Sequence, residues 1–357
     1  MPRLSKITIT QFKNYDFSTF SFTERVVGIC GLNGKGKTNL LDAIHYLCFT
    51  KSYFTKTDAL NIQFTKDGFR LEGLFDEDRT TCIHRGAGKK EFYWNDVEYN
   101  KFSEHIGKLP VVMIAPDDVE LITGASEERR YFLDTLISQV DAIYLQQLII
   151  YGKVLQQRNS LLKRFAEQGN TDWALLEIID EQLVQPGNYI FAKRKLYTDQ
   201  LLQHVKKFYA HIAANDETVN LQYESQLNNL DFYALINQYR EKDFLLQRSN
   251  GGIHRDDISM LLNGQPFKTI ASQGQRKSLL FALKLAEFEL LKNSKGFPPL
   301  LLLDDVFEKL DDNRMNHLLH WVCNENEGQV FITDTHCDRL ENALNKLGAK
   351  HQVINLD

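Results

Sequence analysis

The chain has 357 residues, 43% of them hydrophobic and 25% charged, with a formal net charge of −5. These are ordinary globular proportions, enough for about two or three domains, and no run of about 18 apolar residues offers a membrane-spanning helix. The N-terminus MPRLSKITIT has no apolar signal core, so a cytoplasmic protein is expected. The charge neither demands nor excludes nucleic acid, because only its distribution matters. Five cysteines (Cys30, Cys48, Cys82, Cys323, Cys337) show no C-x-x-C spacing. They read as free thiols of a reducing compartment, not as zinc ligands or disulfides.

In chain order, residues 5–30 alternate apolar and polar (Ile7, Ile9, Phe12, then Phe17, Phe20, Phe22), which predicts half-buried antiparallel strands. Arg25 to Cys30 reads as a buried strand, and Asn39 to Phe49 as a helix with Leu40, Ile44 and Leu47 on its apolar face. Residues 69–100 alternate again, with Gly86-Ala87-Gly88 as a turn, and Val111 to Ala115 is a core strand stopped by Pro116. From Ser126 to about Tyr209 the period becomes helical, with Leu145, Ile149, Leu155 and Leu162 repeating on one side. Strands return near Val219 to Tyr223 and Ile253 to Phe267, where Asn263-Gly264 signals a hairpin. A helix from Ser272, an apolar strand Leu300 to Leu303, a helix after Asp311 and a final strand Val330 to Thr333 complete the reading.

Between the strand ending at Cys30 and the helix after it lies Gly31-Leu32-Asn33-Gly34-Lys35-Gly36-Lys37-Thr38, which fits G-x-x-x-x-G-K-[ST] at every fixed position. Its glycines let consecutive backbone N–H groups curl around a phosphate at a helix N-terminus, where the helix dipole also favours an anion. Lys37 is expected to reach the β- and γ-phosphates of ATP, and the Thr38 hydroxyl to ligate Mg²⁺. The strand Leu300 to Leu303 ends in the paired carboxylates Asp304 and Asp305, the first expected to join Thr38 on Mg²⁺ and the second to polarise the attacking water. Since both motifs must converge on one ion, their two strands are expected to be neighbours in an α/β core.

Ala271-Ser272-Gln273-Gly274-Gln275-Arg276-Lys277 places Ser272 at a helix N-cap. Gly274 permits close approach, and the helix start is a second anion site. The segment reads either as an ordinary capped helix or, from its place about 30 residues before the carboxylate strand, as a match to the signature motif of ATP-binding-cassette ATPases. In those proteins the motif contacts the γ-phosphate held by the partner subunit, and Ser272, Gly274 and Gln275 are the corresponding residues.

Several longer segments carry a resemblance over nearly the whole chain: the phosphate loop, Gln11-Phe12-Lys13-Asn14-Tyr15, Pro116-Asp117-Asp118, Arg129-Arg130-Tyr131-Phe132-Leu133-Asp134, Leu155-Gln156-Gln157-Arg158-Asn159, His254-Arg255-Asp256-Asp257, Ser272-Gln273-Gly274-Gln275 and Leu302-Leu303-Asp304-Asp305. The sequence resembles the RecF family of DNA replication and repair proteins, small relatives of the SMC-type cassette ATPases. The resemblance implies a weak ATPase that forms an ATP-dependent homodimer on double-stranded DNA at gaps or single/double-strand junctions. It also implies cooperation with RecR and RecO in loading the recombinase, with no membrane partner. The fold it implies is an α/β, P-loop ABC-type ATPase head built from both chain ends, with an antiparallel β subdomain and an inserted helical lobe. The expected boundaries are 1–125 and 216–357 for the two parts of the head and 126–215 for the lobe.

Departures from the cassette pattern are visible. Asp305 stands where most cassette ATPases have Glu, one methylene longer, and Asp117 lies near the place of a Mg²⁺-contacting glutamine. Ser-Glu-Leu-Asp is replaced by Glu308-Lys309-Leu310-Asp311. His336 reads either as a switch histidine touching the γ-phosphate or as a helix-start residue. His254-Arg255-Asp256-Asp257 reads as a metal or catalytic cluster or, favoured because buried charges survive only when paired, as a structural network beneath the nucleotide site. Candidate DNA contacts are Lys51, Lys56, Lys89, Lys90, Arg129, Arg130, Lys153 and Arg158. Arg129 and Arg130 read rather as structural, with Glu127, Glu128 and Asp134 near them on one helix. Two other classes, a transport ATPase and a full SMC protein, share the motifs. The hundreds of heptad residues of an SMC arm are missing between them.

Overall fold

A computed structural model describes residues 2–86, 88–168, 172–213, 217–308 and 312–357. The strands are β1 (Leu4–Phe12), β2 (Tyr15–Ser21), β3 (Val26–Cys30), β4 (Gly68–Phe75), β5 (Asp78–Arg85), β6 (Lys89–Trp94), β7 (Val97–Glu98) and β8 (Val111–Ile114). After them come β9 (Val219–Glu224), β10 (Asp257–Leu262), β11 (Gln265–Pro266), β12 (Leu300–Leu303), β13 (Val330–Asp334) and β14 (His351–Asn355). The helices are α1 (Lys37–Phe49), α2 (Glu120–Thr123), α3 (Ser126–Val140), α4 (Ala142–Gln168) and α5 (Trp173–Ala213). They continue as α6 (Phe232–Leu246), α7 (Phe267–Ile270), α8 (Gln273–Lys295), α9 (Asp312–His320) and α10 (Cys337–Lys346).

The chain divides into two compact units, the first made of residues 1–119, 207–216 and 272–357. It holds a parallel sheet of order β14-β3-β13-β12-β8 and an antiparallel sheet of order β2-β1-β4-β5-β6-β7. The parallel strands β3, β8, β12 and β13 are buried at every position, as strands covered on both faces must be. The antiparallel strand β4 alternates, with Phe69, Leu71 and Phe75 inside. The Phe12 ring meets Phe69 and Tyr46 edge-on, at centroid distances of 5.2 and 6.1 Å, and so ties this sheet to α1.

The second unit comprises residues 120–206 and 217–271. Its sheet, β11-β10-β9, is antiparallel, and Asn263 (φ 50°) with Gly264 (φ 79°) closes the expected hairpin, both in the left-handed region that such a two-residue turn needs. Charges inside this unit are paired. Arg158 donates to Asp180 and Asp243, each at 2.6 Å, and to the Ser249 hydroxyl at 2.8 Å. Arg194 lies 3.0 Å from Asp134 and 3.1 Å from Asp256.

Several expectations change. The two motif strands are not neighbours: β13 lies between β3 and β12 and pairs in parallel with both. Val330 to Thr333 is not the last strand, because β14 adds to the far edge of β3. Its run HQVIN is too short and polar to stand out by periodicity. Residues 217–271, assigned above to the C-terminal part of the head, group with the helical unit, because β9 and β10 pair with each other and α3 packs on β10. Finally, Cys30 and Cys337 are joined by a disulfide across 307 residues, with Cα atoms 5.1 Å apart, so the expectation of five free thiols fails. Sequence distance hid the pair, and the order of the sheet creates it. Cys48, Cys82 and Cys323 are free and buried. The expected turn at Ala87 and the segment Lys309 to Asp311 lie outside the described residues.

Candidate nucleotide site

The buried strand β3 delivers the chain at Cys30 to a loop whose glycines take backbone angles that side chains avoid: Gly31 φ 147°, Gly34 φ 83° and Gly36 φ 106°. Gly36 is the N-cap of α1, and a Cβ there would stand 2.7 Å from Asn14 Nδ2 and 2.8 Å from the Tyr15 hydroxyl oxygen. The turn between β1 and β2 is therefore the floor of the loop. Tyr15 donates to the Gly36 carbonyl at 3.1 Å, and Asn39 donates to Asn14 at 2.7 Å. Lys13, beside them, pairs with the buried Asp42 at 2.6 Å. These contacts explain Gln11-Phe12-Lys13-Asn14-Tyr15, a segment whose chemistry the sequence did not declare.

Lys37 is buried, and its ammonium donates to the carbonyls of Gly31 at 2.6 Å and Leu32 at 3.1 Å. The Thr38 hydroxyl lies 3.0 and 2.9 Å from the two oxygens of Asp304. Thr333, on the intervening strand β13, donates to Asp304 at 2.8 Å and accepts from the Asp305 backbone N–H at 2.8 Å. Thr333 is the residue that sequence reasoning missed. It joins the separated motif strands, and the only hint was a polar residue at the end of an otherwise apolar run. Burial raises the Asp304 carboxyl above its usual range, while hydrogen bonds from Thr333 and Thr38 oppose the rise. Asp305 has φ 49°, a left-handed backbone that directs its carboxylate away from the strand line.

Asn33, Gly34, Gly36, Lys37, Thr38 and Asn39 line a pocket of about 300 Å³ together with Pro116, Asp304 and Asp305. The structure thus brings the loop and both carboxylates together. Ser272, Gly274, Gln275 and His336 are not among its lining residues. Ser272 is the N-cap of α8: its hydroxyl accepts from Gln275 N–H at 3.2 Å, and its own N–H donates to the Gln275 side chain at 2.7 Å. The Arg314 guanidinium crosses the helix start, 2.5 Å from where a Cβ on Gly274 would stand. His336 is exposed at the N-cap of α10, a position compatible with both readings of it.

Near the site, Asp118 is the engaged carboxylate of Pro116-Asp117-Asp118. It accepts from Ala115 N–H at 2.9 Å and from the Tyr53 hydroxyl, and lies 3.6 Å from the buried Lys284 of α8. Asp117 is exposed. Burial raises the Glu287 carboxyl to about 7, against the attraction of Lys284 at 3.8 Å.

His254-Arg255-Asp256-Asp257 lies in the second unit and serves its packing. Asp257 takes a bidentate grip from Arg129 at 2.6 and 3.0 Å, Asp256 binds Arg194, and His254 lies 2.8 Å from the Tyr151 hydroxyl. Arg130 binds Ser126 and the Asp256 carbonyl at 2.8 and 2.7 Å, so the structural role expected of both arginines holds, with partners other than Glu127 and Glu128. Of the candidate DNA contacts, Arg158 is consumed in the lobe and Lys90 pairs with Asp58 at 2.9 Å, while Lys89, paired with Glu91 at 2.7 Å, keeps an exposed side chain. Lys51, Lys56 and Lys153 are exposed.

The fold and site define a P-loop ATPase head of the ABC type. An AAA domain profile matches residues 6–352. Over 99% of its length the chain is 40% identical to the DNA replication and repair protein RecF of Bacteroides thetaiotaomicron, covering 96% of it, and 41% identical to that of Flavobacterium johnsoniae, covering 99% of it. It superposes with a TM-score of 0.87, at 32% identity over 94% of this chain and 92% of the other, on a solved structure of the recombination mediator protein RecF with ATP in the RecFOR pathway. An Smc head domain from Pyrococcus furiosus shares the fold, with a TM-score of 0.55 at 16% identity over 99% of this chain and 93% of that one. This chain belongs to the RecF family of DNA replication and repair proteins.

Proposed function

We propose that the chain is an ATP-dependent DNA-binding protein of recombinational repair. It works in the cytoplasm, where two copies close on double-stranded DNA at a gap or single/double-strand junction and help RecO- and RecR-type mediators load the recombinase. The carrying observation is the convergence of the glycine loop, Thr38, Asp304 and Asp305 on one pocket, in a chain that aligns from end to end with RecF proteins.

In this reading the loop's N–H groups and the Lys37 ammonium hold the β- and γ-phosphates of ATP. Thr38 and Asp304, adjacent and offering only oxygen, fit Mg²⁺, which takes one or two protein oxygens beside phosphate and water. The ion would supply charge neutralisation on the phosphates. Asp305 orients the attacking water and accepts its proton, the Asp304 carboxylate being committed to Thr38 and Thr333. At the start of α8 the Ser272 hydroxyl and the Gly274 backbone N–H, with Gln275 beside them, are donors for the γ-phosphate of the second copy, and His336 reaches the γ-phosphate of its own. Lys51, Lys56, Lys89 and Lys153 are exposed candidate cations for the DNA backbone. The relatives named above are DNA replication and repair proteins, which favours DNA over transport.

Anisotropy of a labelled gapped duplex tests this. Binding is expected with ATP and Mg²⁺, and its logarithm should fall linearly with log[salt] through counterion release. Equal binding without nucleotide, or binding indifferent to salt, would remove the reading.

A further inference from the structure

Cys30 is the last residue of β3, immediately before Gly31, and Cys337 is the first residue of α10, immediately after His336. Their bond therefore staples the start of the phosphate loop to the histidine proposed to reach the γ-phosphate. The pairing is built into the fold. β3 is flanked by β13 and β14, α10 is the connection between those two strands, and it lies so close on β3 that a Cβ at Gly28 would stand 2.9 Å from Leu340. The start of α10 has no side-chain cap, so the sulfur bridge holds an end that capping leaves loose.

Cys30 is fully buried, whereas the residue Cys337 is partly exposed, so Cys337 is the member of the pair on the solvent side. The other three cysteines are buried, and burial pushes their thiols well up, Cys323 to about 12, leaving little thiolate to exchange. In a reducing compartment a disulfide is transient and redox-sensing.

We propose that Cys30 and Cys337 form a reversible thiol–disulfide modification site that sets how firmly His336 is held against the phosphate loop, an inference that rests on the ATPase reading above. In the forward step the Cys337 thiolate attacks a low-molecular-weight disulfide, forming a mixed disulfide and releasing one small thiolate. The Cys30 thiolate then attacks the Cys337 sulfur and releases the second. The two cysteines lose two electrons to the small disulfide, and their two protons end on the two small thiols; excess thiol reverses the sequence. The stapled form is pre-organised and turns ATP over faster. The open form keeps its ATP affinity, because the loop N–H groups and Lys37 are untouched.

The test compares the full chain treated with oxidised glutathione or with dithiothreitol. After denaturation the oxidised chain should take up three alkyl groups, matching its free cysteines, and the reduced chain all five. Reduction should lower kcat severalfold, with Kd for ATP within about twofold, and should speed hydrogen exchange at residues 335–340. Cys337→Ser should behave like the reduced parent in both buffers. Five alkylated cysteines after oxidation, one kcat for both states, or a Cys337→Ser chain that still responds would each overturn the proposal. A chain that binds no ATP in either state would instead overturn the ATPase reading, because the alkyl count is independent of nucleotide.

Discussion

Single residues carry the chemistry, and each role has its own failure. Lys37→Ala removes an ammonium from the phosphates and should weaken ATP binding about 10- to 100-fold, the worth of one charged hydrogen-bond partner, read by equilibrium titration. Asp305→Asn keeps the shape of the pocket but cannot take a proton. ATP affinity should stay near that of the parent while phosphate release falls about 100-fold or more, and normal turnover would strike Asp305 from its role. Three histidines set an acid limit. Burial lowers His45, His105 and His254 from 6.5 to about 4, and each is packed as the neutral ring. Because the folded value lies below the unfolded one, their contribution is whole above pH 6.5 and drains away as pH falls towards 4. The melting temperature should therefore drop steadily across that window, and His105→Asn should flatten part of the drop. A flat profile would contradict the burial.

At the scale of elements, the second unit is held by arginines that reach between helices and strands. Arg194 of α5 gathers Asp134 of α3, Asp256 before β10 and the Ile253 carbonyl. Arg194→Leu would strand two carboxylates, one of them, Asp256, fully buried, and should cost about 3–5 kcal/mol by denaturant unfolding. A loss below about 1 kcal/mol would show that the network is ornamental. The sequence announced the elements it needed. The phosphate loop, the capped helix at Ser272 and the Asn263-Gly264 turn follow from local chemistry, since a glycine pattern, a capping pair and a positive-φ turn each act within a few residues. The strand order did not follow. Whether β12 lies beside β3 or one strand away depends on β13, whose apolar run marks it as a strand but whose place in the sheet is hinted at only by the hydroxyl of Thr333. The bond between Cys30 and Cys337 was equally hidden, because it depends on contacts made 307 residues apart.

For the molecule as a whole, two ends of one chain build the head, and residues 120–206 with 217–271 build the second unit. The overall charge of −5 requires any DNA surface to be local, and Lys90, Arg129, Arg130 and Arg158, half of the eight basic residues that stood out in the sequence, are engaged within the protein. In the proposed assembly two copies grip one duplex, with ATP bound between them. The capped start of α8 does not line its own nucleotide pocket. In the proposed dimer a two-fold axis brings each Ser272 to the phosphate of the other copy and makes the two sites equivalent. Sedimentation velocity with ATP and Mg²⁺, run on the parent and on Ser272→Arg, tests this central claim most directly. The parent should sediment as a dimer with ATP and as a monomer without it. The variant, whose own phosphate loop is intact, should bind ATP and remain a monomer. A Ser272→Arg chain that dimerises and hydrolyses ATP like the parent would contradict the composite site.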